Sequence, residues 1–324
     1  MKPPVFTVGC PRSGSSYMYH LLLSAGGFAE FRTQMNFYDV LEPIYGDLGS
    51  RRNRQRMMKE WLRSKAFMAS KLNAAEIEEK VMRECRGGSD FLRIVMDEVA
   101  LAQCVDRWVD STPTNGPHML RIKHDFPDAK FIHIIRDPRD VVLSLDKRGW
   151  TRPLPWDKKN SLLAAGVYWE WIVRKCRAYG KQLGANYFEV RYEDLVETPA
   201  SALAKIGAFL DCDLSYERIQ THRVGSVKNP LTSFKEDLNE GKFNPVGRWK
   251  EKFPQAQLAR FEALIGGYMK ELGYELATSG SNRSLPTTAM HGVYSLFYGF
   301  KQWAKVKTPL SRMMVSYSDM QFDK

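Results

Sequence analysis

Cysteine is scarce in this 324-residue sequence: Cys10, Cys85, Cys104, Cys176 and Cys212 are odd in number, widely spaced and contain no CxxC pair. That pattern argues against a disulfide framework or a thiolate zinc site and fits a reducing compartment. Long apolar runs are also missing. Nothing is long enough to span a bilayer, and Met1-Lys2-Pro3-Pro4 leads straight into a short strand without the apolar stretch of a signal peptide, so a cytoplasmic protein is expected. Acidic residues are outnumbered, 37 Asp+Glu against 48 Lys+Arg, for a formal charge of +11. Such a balance favours anionic partners such as nucleotides, nucleic acid, acidic glycans or anionic lipid heads, without choosing among them.

What is present is ordinary globular composition, 44% hydrophobic and 26% charged, in a repeating strand, loop and helix pattern. Val5-Phe6-Thr7-Val8 ends at Gly9, and apolar residues resume from Met18 to Leu23. Phe131 to Ile135 is apolar apart from His133 and runs into Arg136-Asp137-Pro138, where proline can open a helix. Tyr187-Phe188-Glu189-Val190 precedes Tyr192-Glu193-Asp194 and a helix expected from about Ala200 to Leu210. Leu162, Ala165, Trp169, Ile172, Cys176, Tyr179 and Leu183 form the stripe of a long amphipathic helix, which makes Trp169 a core residue. Strands alternating with helices predict an α/β fold with a doubly wound, mostly parallel sheet, its ligands beyond the strands' carboxyl ends.

Three stretches depart from this unit. Residues 51–99 are charged and helix-prone and read as a helical insertion flanking an acceptor cleft. Residues 215–247 are polar, with Gly225, Pro230, Gly241 and Pro245, and are too long for an idle connection; they read as a lid or binding loop, or as a disordered surface loop. After a helix carrying Leu258, Phe261, Ile265, Tyr268 and Leu272, the main domain closes near residue 276. A tail, 277–324, mixes Val293, Tyr294, Leu296, Phe297, Phe300 and Trp303 with lysines; it reads as an interfacial membrane helix or one packed back on the domain.

The loop Gly9-Cys10-Pro11-Arg12-Ser13-Gly14-Ser15-Ser16 keeps the glycine spacing of GxxxxGK[ST], but Ser15 stands where the lysine belongs. Backbone N–H groups at a helix start, with the hydroxyls of Ser13, Ser15 and Ser16, make an anion cradle, and Arg12 supplies a cation. Without the lysine, and with no evident Asp-ended strand for magnesium, triphosphate hydrolysis is less attractive than binding one phosphate-like group. A Ser-rich helix cap is the plainer alternative. In FIHIIRDPRDVVLSLDKRGW, Arg136 ends a strand while Ser144 and Arg148 share a helix face, an arrangement able to grip a second phosphate. Arg136 and Arg139 can instead pair with Asp137 and Asp140.

Taken together, PRSGSSY after the first strand and IIRDPRDVVLS later resemble the two nucleotide-binding motifs of the sulfotransferase superfamily, and RYEDLV and GRWK are similar to further landmarks of it. The resemblance spans roughly Val5 to Leu276 and implies a P-loop-like fold. It implies 3′-phosphoadenosine 5′-phosphosulfate (PAPS) as co-substrate, with no metal, no nucleic acid partner, and a hydroxyl-bearing acceptor (sugar, lipid, peptide or small alcohol; less readily an amine). By position, Arg12, Ser13, Gly14, Ser15, Ser16 and Tyr17 hold the 5′-phosphosulfate; Arg136, Ser144 and Arg148 hold the 3′-phosphate. Tyr192 approaches the adenosine or its 3′-phosphate, Arg248 or Lys250 closes over the nucleotide, and Trp249 either stacks on it or joins the core. Arg12 and Ser16 stabilise charge on the departing oxygen.

In several branches of that family a glutamate after the first helix is the base; the candidates are Glu30, at nearly the family distance, and Glu42 in Leu41-Glu42-Pro43. Asp110-Ser111 precedes Thr112-Pro113 where many members carry a lysine. His118 and His133 read as structural. Two other functions stay open on sequence alone: an ATP-dependent small-molecule kinase, and a non-catalytic anion- or membrane-surface binding protein.

Overall fold

The computed structural model describes residues 1–150, 153–241, 243–278 and 284–308. Parts of the tail, 279–283 and 309–324, lie outside the described residues. Four strands, β1 (Val5–Val8), β2 (Val109–Asp110), β3 (Lys130–Ile135) and β4 (Tyr187–Arg191), form a wholly parallel sheet in the order β2-β1-β3-β4. The two-residue β2 is too short for any period in the sequence to reveal.

Alternation along the strands makes two cores. Val5, Ile132, Ile134 and Val190 face one way, against Met18, Leu21 and Leu22 of α1 (Ser15–Ala25). Phe6, Val8, Phe131 and Ile135 face the other and join the larger core. Successive side chains of a strand point to opposite faces, so apolar runs without alternation require cover on both sides. The sheet is therefore doubly wound, as expected.

Between β1 and β2 the chain makes a π-helical turn (Phe37–Leu41), then α2 (Glu42–Tyr45), α3 (Arg51–Trp61), α4 (Lys65–Ser70), α5 (Ala74–Glu84) and α6 (Gly88–Ala102). These last four occupy the stretch read as a helical insertion. After β2, a 3-10 segment (Pro113–His118) runs into α7 (Met119–Asp125). Beyond β3 come α8 (Pro138–Lys147) and the long α9 (Ser161–Leu183), whose stripe is buried, Trp169 included, apart from a partly buried Tyr179. Beyond β4 follow α10 (Tyr192–Glu197) and α11 (Pro199–Leu210).

Residues 215–247 carry three short helices, α12 (Tyr216–Thr221), α13 (Gly225–Lys228) and α14 (Lys235–Asn239). They are followed by α15 (Trp249–Lys252), α16 (Gln255–Glu271) and α17 (Leu285–Lys307). The last helix folds back on the domain: Tyr294 and Tyr298 are buried, and the Tyr298 hydroxyl donates to the Ala164 carbonyl at 3.0 Å. Its other face leaves Val293, Leu296, Phe300 and Trp303 exposed.

Candidate active site

In this strand order β1 leads to β2 on one side and β3 lies on the other, so the carboxyl ends of β1 and β3 flank the crevice where open α/β sheets place ligands. The loop leaving β1 and the residue leaving β3 meet there: Arg136 Nη1 donates to the Arg12 carbonyl at 3.1 Å. Arg12 holds a left-handed φ of 74°, uncommon for a residue with a Cβ. Gly14, with φ 109°, ends the loop just before α1, and a Cβ there would sit 2.3 Å from the Tyr192 ring. Only glycine lets the phosphate-type loop lie on that tyrosine.

A cleft of about 400 Å³ opens over the start of α1, lined by Arg12, Gly14, Ser15, Ser16, Tyr17, Arg136 and Tyr192, with Ser226, Val227, Pro230, Leu231, Phe243 and Pro245 from residues 215–247 on the far side. Arg136 also lies over the Tyr192 ring at 4.5 Å and donates through Nη2 to the Pro245 carbonyl at 2.5 Å. Arg12 donates from Nε to Ser144 Oγ at 2.9 Å. Ser144 and Arg148 do not line the cleft themselves, nor does Ser233; they connect to it through Arg12, Ser144 directly and Arg148 by way of Ser233. Ser233 Oγ lies 3.3 Å from Arg12 Nη2, 3.2 Å from Arg148 Nε and 3.0 Å from Ser144 Oγ. One neutral hydroxyl thus sits among groups whose natural partner is an anion.

The electrostatics agree. Burial, reinforced by the charges of Arg148 and Arg136, pushes the Arg12 guanidinium down to about 10. Burial pushes Tyr17 up to about 12, with Tyr192 and Tyr216 adding to it. Ser13 is buried with no partner for its Oγ, and Arg136 Nε is likewise buried and unpartnered. An anion spanning Arg12, Arg136 and the N–H groups of α1 relieves the mutual repulsion and supplies acceptors to a donor-rich site.

Other expected site residues lie elsewhere. Glu30 is on the surface, ion-paired with Arg32, its backbone tied to Gln103, and lines neither this cleft nor the one beside it. The chain distance that favoured it is spent in an irregular segment, which leaves Glu30 outside both clefts in this structure. Glu42 pairs with Arg121 at 3.2 Å, also away from both clefts. Trp249 is a core residue: its ring stacks on the Arg139 guanidinium at 3.5 Å, and that arginine is held by Asp137 and Glu262, each at 2.8 Å. Lys250 is exposed and lines neither cleft.

Arg248 is buried, 3.2 Å from Asp237, and burial with Arg136 nearby lowers its pKa. Asp140 accepts from the N–H groups of Gly247 and Trp249, both at 2.9 Å, fastening this segment to α8. Asp110, standing where many members have lysine, is buried and accepts from Thr112 N–H at 2.8 Å and Asn115 at 3.1 Å. Sequence reasoning missed Ser233, Trp150 and Phe243; single residues in a polar stretch carry no period and no spacing.

Fold and site define a parallel α/β protein with an arginine-rich anion cradle at the carboxyl ends of its strands. A sequence profile of the Sulfotransferase family matches residues 3–216, and the chain belongs to this family. It is a sulfotransferase, and the kinase reading has no support. Protein-tyrosine sulfotransferase A of Caenorhabditis elegans is 23% identical over 293 residues, 88% of this chain and 70% of that one. A putative protein-tyrosine sulfotransferase of the same organism is 23% identical over 189 residues, 55% of this chain and 69% of that one. Among solved structures, the sulfotransferase domain of the Synechococcus PCC 7002 olefin synthase is similar at a TM-score of 0.56 and 20% identity, covering 85% of this chain and 96% of that one.

Proposed function

We propose that the protein moves the sulfuryl group of PAPS to an acceptor hydroxyl, releasing adenosine 3′,5′-bisphosphate. One observation carries this: Arg12, in the loop before α1, is bonded to Ser144 and, through Ser233, linked to Arg148, while Arg136 donates to its carbonyl, so two distant motifs are joined around one arginine. The start of α1, Arg12 and Ser16 would hold the 5′-phosphosulfate; Arg136, with Ser144 and Arg148 once Ser233 yields, would hold the 3′-phosphate. Sulfuryl transfer, like phosphoryl transfer, asks the protein mainly to position reactants and to stabilise charge on the departing bridging oxygen. The decisive measurement is thermal stabilisation by adenosine 3′,5′-bisphosphate against ATP with magnesium. Stabilisation by ATP alone would overturn the reading.

The acceptor is read as an aromatic hydroxyl, tyrosine among them, supported by the aromatic walls of a second cleft described below and by the names of the worm relatives. Peripheral membrane contact through α17 is supported by its exposed Val293, Leu296, Phe300 and Trp303. Co-sedimentation with anionic vesicles, lost on replacing Phe300 and Trp303 by serine, tests it. A cytoplasmic location is proposed on the five free cysteines.

A further inference from the structure

Beside the donor cleft runs a second one of about 510 Å³, and the two share Pro11 and Trp150. Arg12 lies at the junction, its guanidinium 5.7 Å from the Trp150 ring centre. The second cleft is walled by Trp150, Tyr168 and Trp171 and by Tyr298, Lys301, Gln302 and Lys305 of α17. An acceptor entering it meets the donor at the shared edge.

Proton transfer from an acceptor hydroxyl needs a base within reach of that edge. Among the described residues that line either cleft, Asp39 is the only Asp, Glu or His. Its side chain is 15% exposed and sits in the π-helical turn Phe37–Leu41, an uncommon conformation frequent at functional sites. Oδ2 is 2.7 Å from Lys305 Nζ, and Oδ1 is 3.5 Å from His118 Nε2. The same Nε2 lies 3.2 Å from the Gln302 amide nitrogen, so α17 holds the carboxylate directly through Lys305 and also touches the imidazole beside it.

We infer that Asp39 is the general base for the acceptor and that Lys305 of α17 is its positioning residue, which makes the C-terminal helix part of the active site. The inference rests on the PAPS reading. The acceptor O–H proton passes to the Asp39 carboxylate as the acceptor oxygen bonds to sulfur. The bond from sulfur to the bridging phosphate oxygen breaks, and adenosine 3′,5′-bisphosphate leaves with that electron pair.

The charged and titratable groups facing Asp39 are His118 from the 3-10 segment, Lys301 and Lys305 from α17, and Tyr168 from α9. Burial alone would raise the Asp39 pKa, but the hydrogen bond from His118 and the Lys305 charge override it and keep the carboxyl below its ordinary value. Removing the Lys305 charge therefore shifts the acidic limb of the rate profile to higher pH.

The test uses the full chain, PAPS and 2-naphthol, a flat aromatic hydroxyl matched to the cleft walls. Expected are naphthyl sulfate from the wild type, a loss of at least about 100-fold in kcat for Asp39→Asn, and partial recovery in Asp39→Glu. Stabilisation by adenosine 3′,5′-bisphosphate should be unchanged in all three. For Lys305→Met, the acidic limb of kcat/KM should move up in pH, a readout that survives even if Asp39→Asn does not fold. The inference is overturned by an Asp39→Asn enzyme retaining more than about a tenth of the activity, by an unmoved limb in Lys305→Met, or by a wild type that binds the bisphosphate yet makes no naphthyl sulfate. A wild type that fails to bind the bisphosphate instead sinks the donor reading.

Discussion

Arg12 and Ser144, 132 residues apart, are joined by a 2.9 Å hydrogen bond that couples the loop after β1 to the helix after β3. Two anion grips recognised separately in the sequence are thereby one site, with Arg136 closing the circuit on the Arg12 carbonyl.

Arg12→Ala should lower turnover about 100- to 1000-fold, the loss usual when one well-aimed donor to a developing negative charge is removed. Arg136→Ala should abolish most of the thermal stabilisation by adenosine 3′,5′-bisphosphate while leaving the melting temperature of the free protein less affected. Calorimetry with and without the bisphosphate separates the two effects.

Ser233 occupies the meeting point of Arg12, Ser144 and Arg148. Ser233→Glu would put a carboxylate there in competition with the donor, and bisphosphate affinity should fall by at least about tenfold, or ~1.4 kcal/mol. Ser233→Ala should change it little. Isothermal titration of both variants gives the comparison; equal affinities would mean the lid serine does not mark the phosphate position.

The segment 215–247 is anchored by a contact between α13 and α1. Gly225 has φ 51°, and a Cβ on it would lie 2.2 Å from the His20 ring. Gly225→Ala should cost about 1–3 kcal/mol through strain and collision together. Limited proteolysis at 225–231 should report a loosened lid before the core unfolds.

His20 Nδ1 accepts the Ser226 N–H at 3.1 Å, and burial, with the charge of Arg32, holds its pKa below the ordinary value. The folded state thus favours the neutral ring. Its stabilisation is complete above about pH 6.5, the unfolded value, and is lost as pH falls through the lower folded one. Amide exchange in residues 225–228 should accelerate with acid below that point, while exchange in β3 stays slow.

Glu30→Gln should alter turnover less than about twofold, as expected of a surface substitution. A large loss would return Glu30 to the candidates for the base.

The parallel sheet, the donor loop and the second arginine cluster were legible because each is local: a strand, a turn and a helix start lie within some fifteen residues, and backbone geometry follows from that order. Glu30 and Asp39 were not separable in this way. The segment between α1 and α3 has no lasting period, so spacing from Arg12 says nothing about which carboxylate turns inward. Trp249 posed a similar ambiguity, since a flat ring stacks equally well on a base or on a guanidinium, and only the buried Asp137–Arg139–Glu262 group assigns it to the core.

Sequence by itself determined the donor side of this protein, because anion binding there depends on consecutive backbone groups and motif residues. Tertiary structure alone assembled the cluster proposed for the acceptor side, where Asp39, His118 and Lys305 come from a π-helical turn, a 3-10 segment and the C-terminal helix. Nothing local ties those three residues together. The packing of α17 on α9, through Tyr298 and its neighbours, brings a lysine 266 positions away in the chain (305 − 39) to the carboxylate.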